Sequence, residues 1–312
     1  MKYLVTGGCG FIGSHLVDAL TAANHSVRIL DDLSTGSLAY TPDTAEFIRG
    51  DVADPGTVEK AMRRVDGCFH LAAVASVERC NLDWSGTHRT NLAGTVAVFD
   101  AARRQFPPTP VVYASSAAVY GNNPGILTED TALRPISAYG ADKLGCELHG
   151  WIAHHVHRVS NCGLRFFNVY GPRQDPHSPY SGVITIFSNR IKNDQTITIN
   201  GDGYQSRDFV YVGDIVSALS VAMKYCHDYD PCEIFNVSTG IDTTIIDLAK
   251  EIGVILSRTP DTRYGAPRRG DPRRSIGCTE KVHRILGFRA MTNLTVGLKK
   301  TLREGVPAYG EV

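Results

Sequence analysis

The stretch "LVTGGCGFIGSH", residues 4–15, decides how this chain folds. Leu4 and Val5 close a short apolar run, and the residues from 13 to 23 are amphipathic with helical spacing. Between the two, Gly7, Gly10 and Gly13 let a strand turn tightly into a helix and let a pyrophosphate approach the N–H groups at the helix N-terminus. A lone glycine triplet is a weak signal, but this one has a strand before it and a helix after it. It also has an acidic residue, Asp31 of "ILDDLSTG", at the end of the second strand. A carboxylate there accepts hydrogen bonds from adenosine ribose hydroxyls and repels a 2′-phosphate. No Lys or Arg follows among residues 32–36 to reverse that preference. The expected cofactor is NAD rather than NADP.

Outward from this unit, apolar runs alternate with amphipathic stretches. "SVRILD", "EFIRGD", "GCFHLAA", "PVVYASS" and "NCGLRFFN" read as strands, and 55–65 and 91–105 as helices. Nearly continuous apolar strands between helices predict a parallel sheet covered on both faces. The fold class expected is α/β, a doubly wound parallel sheet with a smaller mixed α/β C-terminal lobe for substrate. We expect a dinucleotide-binding domain over residues 1–165 and the lobe over 166–312, with segments crossing back. From about residue 170 the pattern loosens into proline- and glycine-rich loops such as "YGPRQDPHSPYSG".

Lys plus Arg and Asp plus Glu both total 32, so the balance of charge gives no reason to expect nucleic acid or an anionic membrane as partner. The eight cysteines are scattered without a CxxC pair, which fits a reducing cytoplasm. The N-terminus reads straight into a strand without signal-peptide features, and no run is long enough to span a bilayer.

The reacting groups follow. In "SAYGADKLGCE", Tyr139 and Lys143 are four apart, which on a helix puts them on one face. A phenol ordinarily titrates near 10, so as a base at neutral pH it needs positive charge nearby. Lys143 supplies one cation and an oxidised nicotinamide another. Ser116, ending the strand of "YASSAAVYG", can hydrogen-bond the same substrate oxygen. Asp51, in "RGDV", reads either as an adenine contact or as a turn residue, and small residues in "HLAAVAS" suit a passing cofactor backbone. "HHVH", residues 154–157, has no further ligands at defined spacing and is read as solvated or interface histidines, with no metal expected.

With these motifs in hand, the sequence resembles the nucleotide-sugar epimerases of the extended short-chain dehydrogenase/reductase superfamily. The resemblance rests on "TGGCGFIGSHL", "LDDLSTG", "GDV", "HLAA", "NLAGT", "SSAAVYG", "YGADKLGCE", "LRFFNVYGPRQ", "RDFVYVGDI" and "RRGD", spread over nearly the whole chain. It implies Tyr139 as base, Lys143 also on the nicotinamide ribose, and Ser116 on the sugar hydroxyl. Around the dinucleotide it implies Phe11 and Ile12 beside the glycines, then Asp32, Ser34, Thr35 and Gly36 beyond Asp31. Val52, Leu71, Ala72 and Ala73 follow, with Asn91, Ser115 and Phe166 nearer the nicotinamide. Phe166 stands where some relatives have a tyrosine. For a nucleoside-diphosphate sugar it implies Asn168, Arg207 and Arg268 on the diphosphate and Asp271 near the nucleoside. Arg269, Arg273 and Arg274 are read as solvated. Helices around 91–105 and 142–157 match the pair that forms a homodimer interface in this family.

Ala117 and Ala118 sharpen the expectation. Related dehydratases carry Asp and Glu at these two positions, to move a C5 proton and release the C6 hydroxyl, and decarboxylating relatives tend to carry Glu. A methyl group can do neither. The 4-keto sugar is therefore expected to take its hydride back on the other face, which is C4 epimerisation. Ser275, four residues after Asp271, matches a position where a tyrosine restricts related enzymes to unsubstituted hexoses. A serine there points to UDP-GlcNAc/UDP-GalNAc, alongside UDP-Glc/UDP-Gal. A UDP-uronic acid 4-epimerase and a nucleotide-sugar 4,6-dehydratase are the alternatives, and a silent binding protein is disfavoured by the joint presence of Ser116, Tyr139 and Lys143.

Overall fold

The computed structural model describes residues 1–174, 182–267 and 272–303. Seven parallel strands form the central sheet: β1 (Lys2–Thr6), β2 (Ser26–Asp31), β3 (Glu46–Arg49), β4 (Gly67–His70), β5 (Val111–Ser116), β6 (Asn161–Phe166) and β7 (Cys232–Val237). Their order across the sheet is β7-β6-β5-β4-β1-β2-β3. The winding reverses between β1 and β4, where Val5 pairs with Ile29 on one side and Phe69 on the other. A crevice opens at the carboxyl ends of the strands at such a reversal.

Helices α1 (Phe11–Ala22) and α5 (Val212–Tyr229) cover one face; α2 (Pro55–Met62), α3 (Gly94–Arg103) and α4 (Ala138–His157) cover the other. Alternate side chains of each strand go to opposite cores, as the pleat requires. Val5 and Val112 join Leu16, Leu20, Ile215 and Leu219, whereas Leu4 and Val111 join Val58, Met62, Val98 and Ala102. The alternating pattern in the sequence and this two-faced sheet thus agree.

Two glycines show why the first turn is so tight. Gly7 has φ +71°, and a Cβ on it would lie 2.7 Å from the backbone N of Ala72. A Cβ on Gly13 would lie 2.0 Å from the Gly7 carbonyl oxygen, so α1 sits directly on the end of β1.

The small lobe has its own core, built from Ile184, Phe187, Ile197, Ile199, Leu248 and Leu298. Its four-stranded sheet runs in the order Thr243–Thr244, Ser206–Arg207, Arg274–Gly277, Ile126–Leu127. The chain passes between the layers in both directions: Ile126–Leu127 leaves the first half for the lobe, and α5 with β7 returns to the central sheet. No helix among the described residues is long and apolar enough to cross a membrane.

Candidate active site

The crevice starts at the N-terminus of α1. Gly10 is its N-cap, no side chain caps it among the described residues, and its first turn carries no acid. Phe11, Ile12 and Gly13 occupy that turn. Their N–H groups carry the helix's partial positive charge, which suits a pyrophosphate. Among the described residues, a Cβ on Gly10 would approach the Gly7 carbonyl oxygen, at 3.3 Å.

Asp31 ends β2, buried, with Oδ2 accepting from Cys9 N (2.9 Å) and Oδ1 from Leu33 N (2.8 Å). Burial pushes its carboxyl above the usual range, against the pull of those two bonds. A carboxylate has about four acceptor positions, so two bonds leave acceptor capacity for ribose hydroxyls. Beyond it Asp32 turns the loop by accepting from Ser34 N (2.8 Å). The loop then folds onto Cys9: a Cβ on Gly36 would lie 2.8 Å from the Cys9 backbone, and Ser37 N donates to Cys9 O. Thr35 lies within this loop. An anion-binding turn beside an acidic strand end fits NAD.

Asp51 makes a turn, accepting from Ala53 N, and pairs with Arg89 at 2.8 Å. Val52 is buried against Gly94. After β4, Leu71 N donates to Thr6 O and Ala72 N to Thr6 Oγ1, while Ala73 continues the loop. Asn91 is fully buried in a π-helical turn, and its amide bonds both N and O of Val74. Its side chain thereby holds the loop after β4.

Ser116 ends β5, and its Oγ accepts from Ala118 N at 3.1 Å. Ser137 caps α4 by accepting from Gly140 N. Tyr139 is half-buried in the first turn of α4. Lys143 is buried one turn on, donating to Ala114 O at 2.8 Å, with Nζ 5.8 Å from the centre of the Tyr139 ring. A Cβ on Gly140 would stand 2.6 Å from Ala118 O. The turn holding Ser116, Ala117 and Ala118 and the turn holding Tyr139 therefore touch.

Behind these groups lies a buried polar network that sequence reading missed. Ser115 donates to Glu147 at 2.5 Å, and Arg165 grips the same carboxylate with two bonds of 2.8 and 2.7 Å. Arg165 also donates to Tyr120 Oη, which donates to Asn236. The pairing raises the Arg165 pKa despite its burial. The available signal was Glu147 at four residues past Lys143, on one helix face. His70, also missed, is buried between the hydroxyls of Thr6 (2.8 Å) and Thr95 (2.9 Å). Burial, and then the Lys143 charge, push its pKa down to about 3.

On the substrate side, Phe166 ends β6, buried and paired in register with Ser116 and Val237. Asn168 is exposed on the strand Asn168–Tyr170 beside Phe209. Arg207 and Ser275, 68 positions apart in sequence by their numbers, are direct register partners on neighbouring strands. Asp208, unread in the sequence, is fully buried and accepts from Thr239 N, Thr239 Oγ1 and Gly240 N. It ties the Arg207 strand to the loop after β7. Arg273 and Arg274 pair with Asp202 and Asp242 at the surface. Arg268, Arg269 and Asp271 lie outside the described residues.

Residues 3–238 match the NAD dependent epimerase/dehydratase family. The chain belongs to that family. The family's UDP-glucose 4-epimerase of Mycolicibacterium smegmatis is 36% identical over 309 residues, covering 97% of each chain. Two solved members superpose along nearly the full length. The Thermotoga maritima UDP-glucose 4-epimerase with UDP-glucose has a TM-score of 0.92 at 34% identity, covering 97% of this chain and 98% of that one. The UDP-N-acetylglucosamine 4-epimerase of Methanobrevibacter ruminantium with UDP-N-acetylmuramic acid has a TM-score of 0.91 at 35% identity, covering 97% of each.

Proposed function

We propose that this enzyme, an NAD-dependent 4-epimerase of UDP-sugars, acts chiefly on the pair UDP-GlcNAc/UDP-GalNAc and also on UDP-Glc/UDP-Gal. The observation that carries the choice of epimerisation over dehydration is at the Ser116 turn. Its next two side chains are the methyls of Ala117 and Ala118, packed where Gly140 brings α4 against them. No acid or base stands at those two positions to remove a C5 proton or release a C6 hydroxyl. NAD would be held by the α1 turn and Asp31 and would supply reversible hydride chemistry at C4. Tyr139 Oη takes the proton of the sugar O4 as C4 becomes a ketone and returns it after the ring has presented its other face. Ser116 Oγ holds the same oxygen, and Lys143 places a fixed positive charge beneath the phenol. Asn168 and Arg207, with Arg268, hold the diphosphate while the ring turns, since a guanidinium fork matches phosphate oxygens.

Ser275, the register partner of Arg207, supports the N-acetylated substrate because its side chain is small. Purified enzyme incubated with UDP-GlcNAc and with UDP-Glc, without added NAD, is expected to form the C4 epimers with no net NADH. Products lighter by one water would overturn the proposal. Ser275→Tyr is expected to slow the N-acetylated pair by roughly 10–200-fold relative to the plain pair, the range that shape discrimination in a pocket supplies. Equal slowing of both pairs would remove Ser275 as the selector.

The proposed assembly is a homodimer. Leu148, Trp151 and Val156 of α4 are each about three-fifths exposed, near the exposed Val96 of α3, a face that a second copy would cover. Light scattering should report two chains, falling to one in Trp151→Asp. The eight cysteines are all free thiols, in keeping with a reducing cytoplasm.

A further inference from the structure

The last turn of α4 carries His154, His155 and His157, and the fold brings Cys232, the first residue of β7, to the first two of them. One ligand atom from each of His154, His155 and Cys232 lies within 4.8 Å of the other two. The hydrogen bonds of the two imidazoles fix which nitrogens remain. His154 Nε2 lies 3.1 Å from Asp230 O and His155 Nδ1 lies 2.9 Å from Trp151 O. A carbonyl only accepts, so both of those nitrogens carry the proton. His154 Nδ1 and His155 Nε2 are left with lone pairs, and His154 Nδ1 is buried with no hydrogen-bond partner among the described residues. A backbone carbonyl on the distal N–H is the arrangement by which proteins orient metal-binding histidines. The Cys232 sulfur has only long contacts, 3.8 Å to Gly150 O and 4.0 Å to Asn161 Oδ1. The C-terminal end of a 20-residue helix adds partial negative charge, and the Asp230 carboxylate is 3.8 Å from His154 Nε2.

We infer that His154, His155 and Cys232 form a binding site for a divalent d-block cation, zinc above all. Two imidazoles and a thiolate suit that class of metal, and water completes a tetrahedron. Ligand atoms around zinc stand roughly 3.5 Å apart, as bond lengths of about 2.0–2.3 Å dictate. The cluster therefore needs a contraction of about 1 Å, which calls for a tilt of the exposed His155 ring on the Trp151 indole it stacks against at 3.7 Å. Cys232 loses its proton to solvent on binding, and no other bond changes. The site lies where the edge strand β7 begins, at the amino ends of the parallel strands, whereas the Gly7–Gly13 turn and Ser116 lie at their carboxyl ends, so it ties α4 to β7 without touching the reacting groups.

Cobalt(II) added to the tag-free holoenzyme is the test. One equivalent should bind and produce a near-ultraviolet thiolate-to-cobalt charge-transfer band, and zinc should displace it, since zinc binds such ligands more tightly. Cys232→Ser should abolish the band. His155→Ala, at an exposed position that leaves folding intact, should weaken binding at least about tenfold. Cys278→Ser, at the other half-buried thiol, should change nothing. Absence of the band overturns the inference, as does a band that survives Cys232→Ser or is lost equally in Cys278→Ser.

Discussion

The carboxyl end of the central sheet and the small lobe differ in how far they fix their polar side chains. At the sheet's carboxyl end, His70 and Arg165 of the strands and Lys143 and Glu147 of α4 are all buried, and each is fixed by partners on a different element. In the lobe, Arg207, Asp208 and Ser275 are buried on or between its short strands, but Asn168 is exposed, and Arg273 and Arg274, at the start of the strand Arg274–Gly277, make surface ion pairs. The first region is a rigid platform that must place a proton acceptor accurately relative to a hydride acceptor. The second is a set of short strands and loops, where recognition can change without disturbing the platform. On the roles proposed above, chemistry and substrate choice are separated in space, and the two regions should answer differently to substitution.

The sharpest test of that separation is Tyr139→Phe. Removing the phenol oxygen deletes the proton acceptor while keeping the half-buried ring that packs at the start of α4. Turnover should fall by about 10²–10⁴-fold, the usual contribution of a positioned acid–base group, with bound NAD and the unfolding midpoint unchanged. Steady-state kinetics with both sugar pairs should show equal loss on each. A loss confined to one sugar would mean that Tyr139 belongs to recognition, and the comparison would break.

Glu147→Ala comes next. It leaves the Arg165 guanidinium buried with its carboxylate partner gone, and breaking a buried pair in this way costs about 3–5 kcal/mol. Denaturant unfolding should report that loss. Asp202→Ala in the lobe removes an exposed partner of Arg273 and should leave the unfolding midpoint where it is. If the two variants lost similar stability, the platform would be no stiffer than the lobe.

What was legible in the sequence follows the same division. The Gly7–Gly13 turn, Asp31 and the Tyr139–Lys143 face are local patterns, each within one strand–turn–helix unit, so spacing alone exposes them. The Glu147–Arg165 pair spans 18 residues, Asp208–Thr239 spans 31 and Tyr120–Asn236 spans 116. Only the folded topology brings such partners together. Asn91, expected near the cofactor, has an amide that also holds the backbone of Val74, a tie across 17 positions. Asp51 accepts from Ala53 N and pairs with Arg89, 38 positions away. Cys232 was equally invisible beside "HHVH", because 77 positions with several strands and two helices separate it from His155 while the sheet returns it to α4. The lobe was harder to read for a physical reason: its strands are too short for periodicity to declare which face is buried.

His70 offers the smallest effect and the most direct look at the platform's interior. Its imidazole is buried between Thr6 and Thr95 beside the Lys143 charge, and its folded pKa is pushed down to about 3, against about 6.5 for an unfolded histidine. Between these values the unfolded chain binds a proton that the folded chain does not. The stabilisation is therefore complete above about pH 6.5 and is lost as pH falls toward 3, by on the order of 1 kcal/mol per pH unit. Urea unfolding at pH 7.5 and at pH 5 should show the folded state weakened at the lower pH by about that slope. His70→Gln keeps hydrogen-bonding capacity for Thr6 and Thr95 but removes the titrating group, so its loss of stability between the two pH values should be smaller by the same amount. An identical pH dependence in both proteins would mean that water or an anion reaches His70 in the folded state, and the sheet's carboxyl end would then be as open as the lobe.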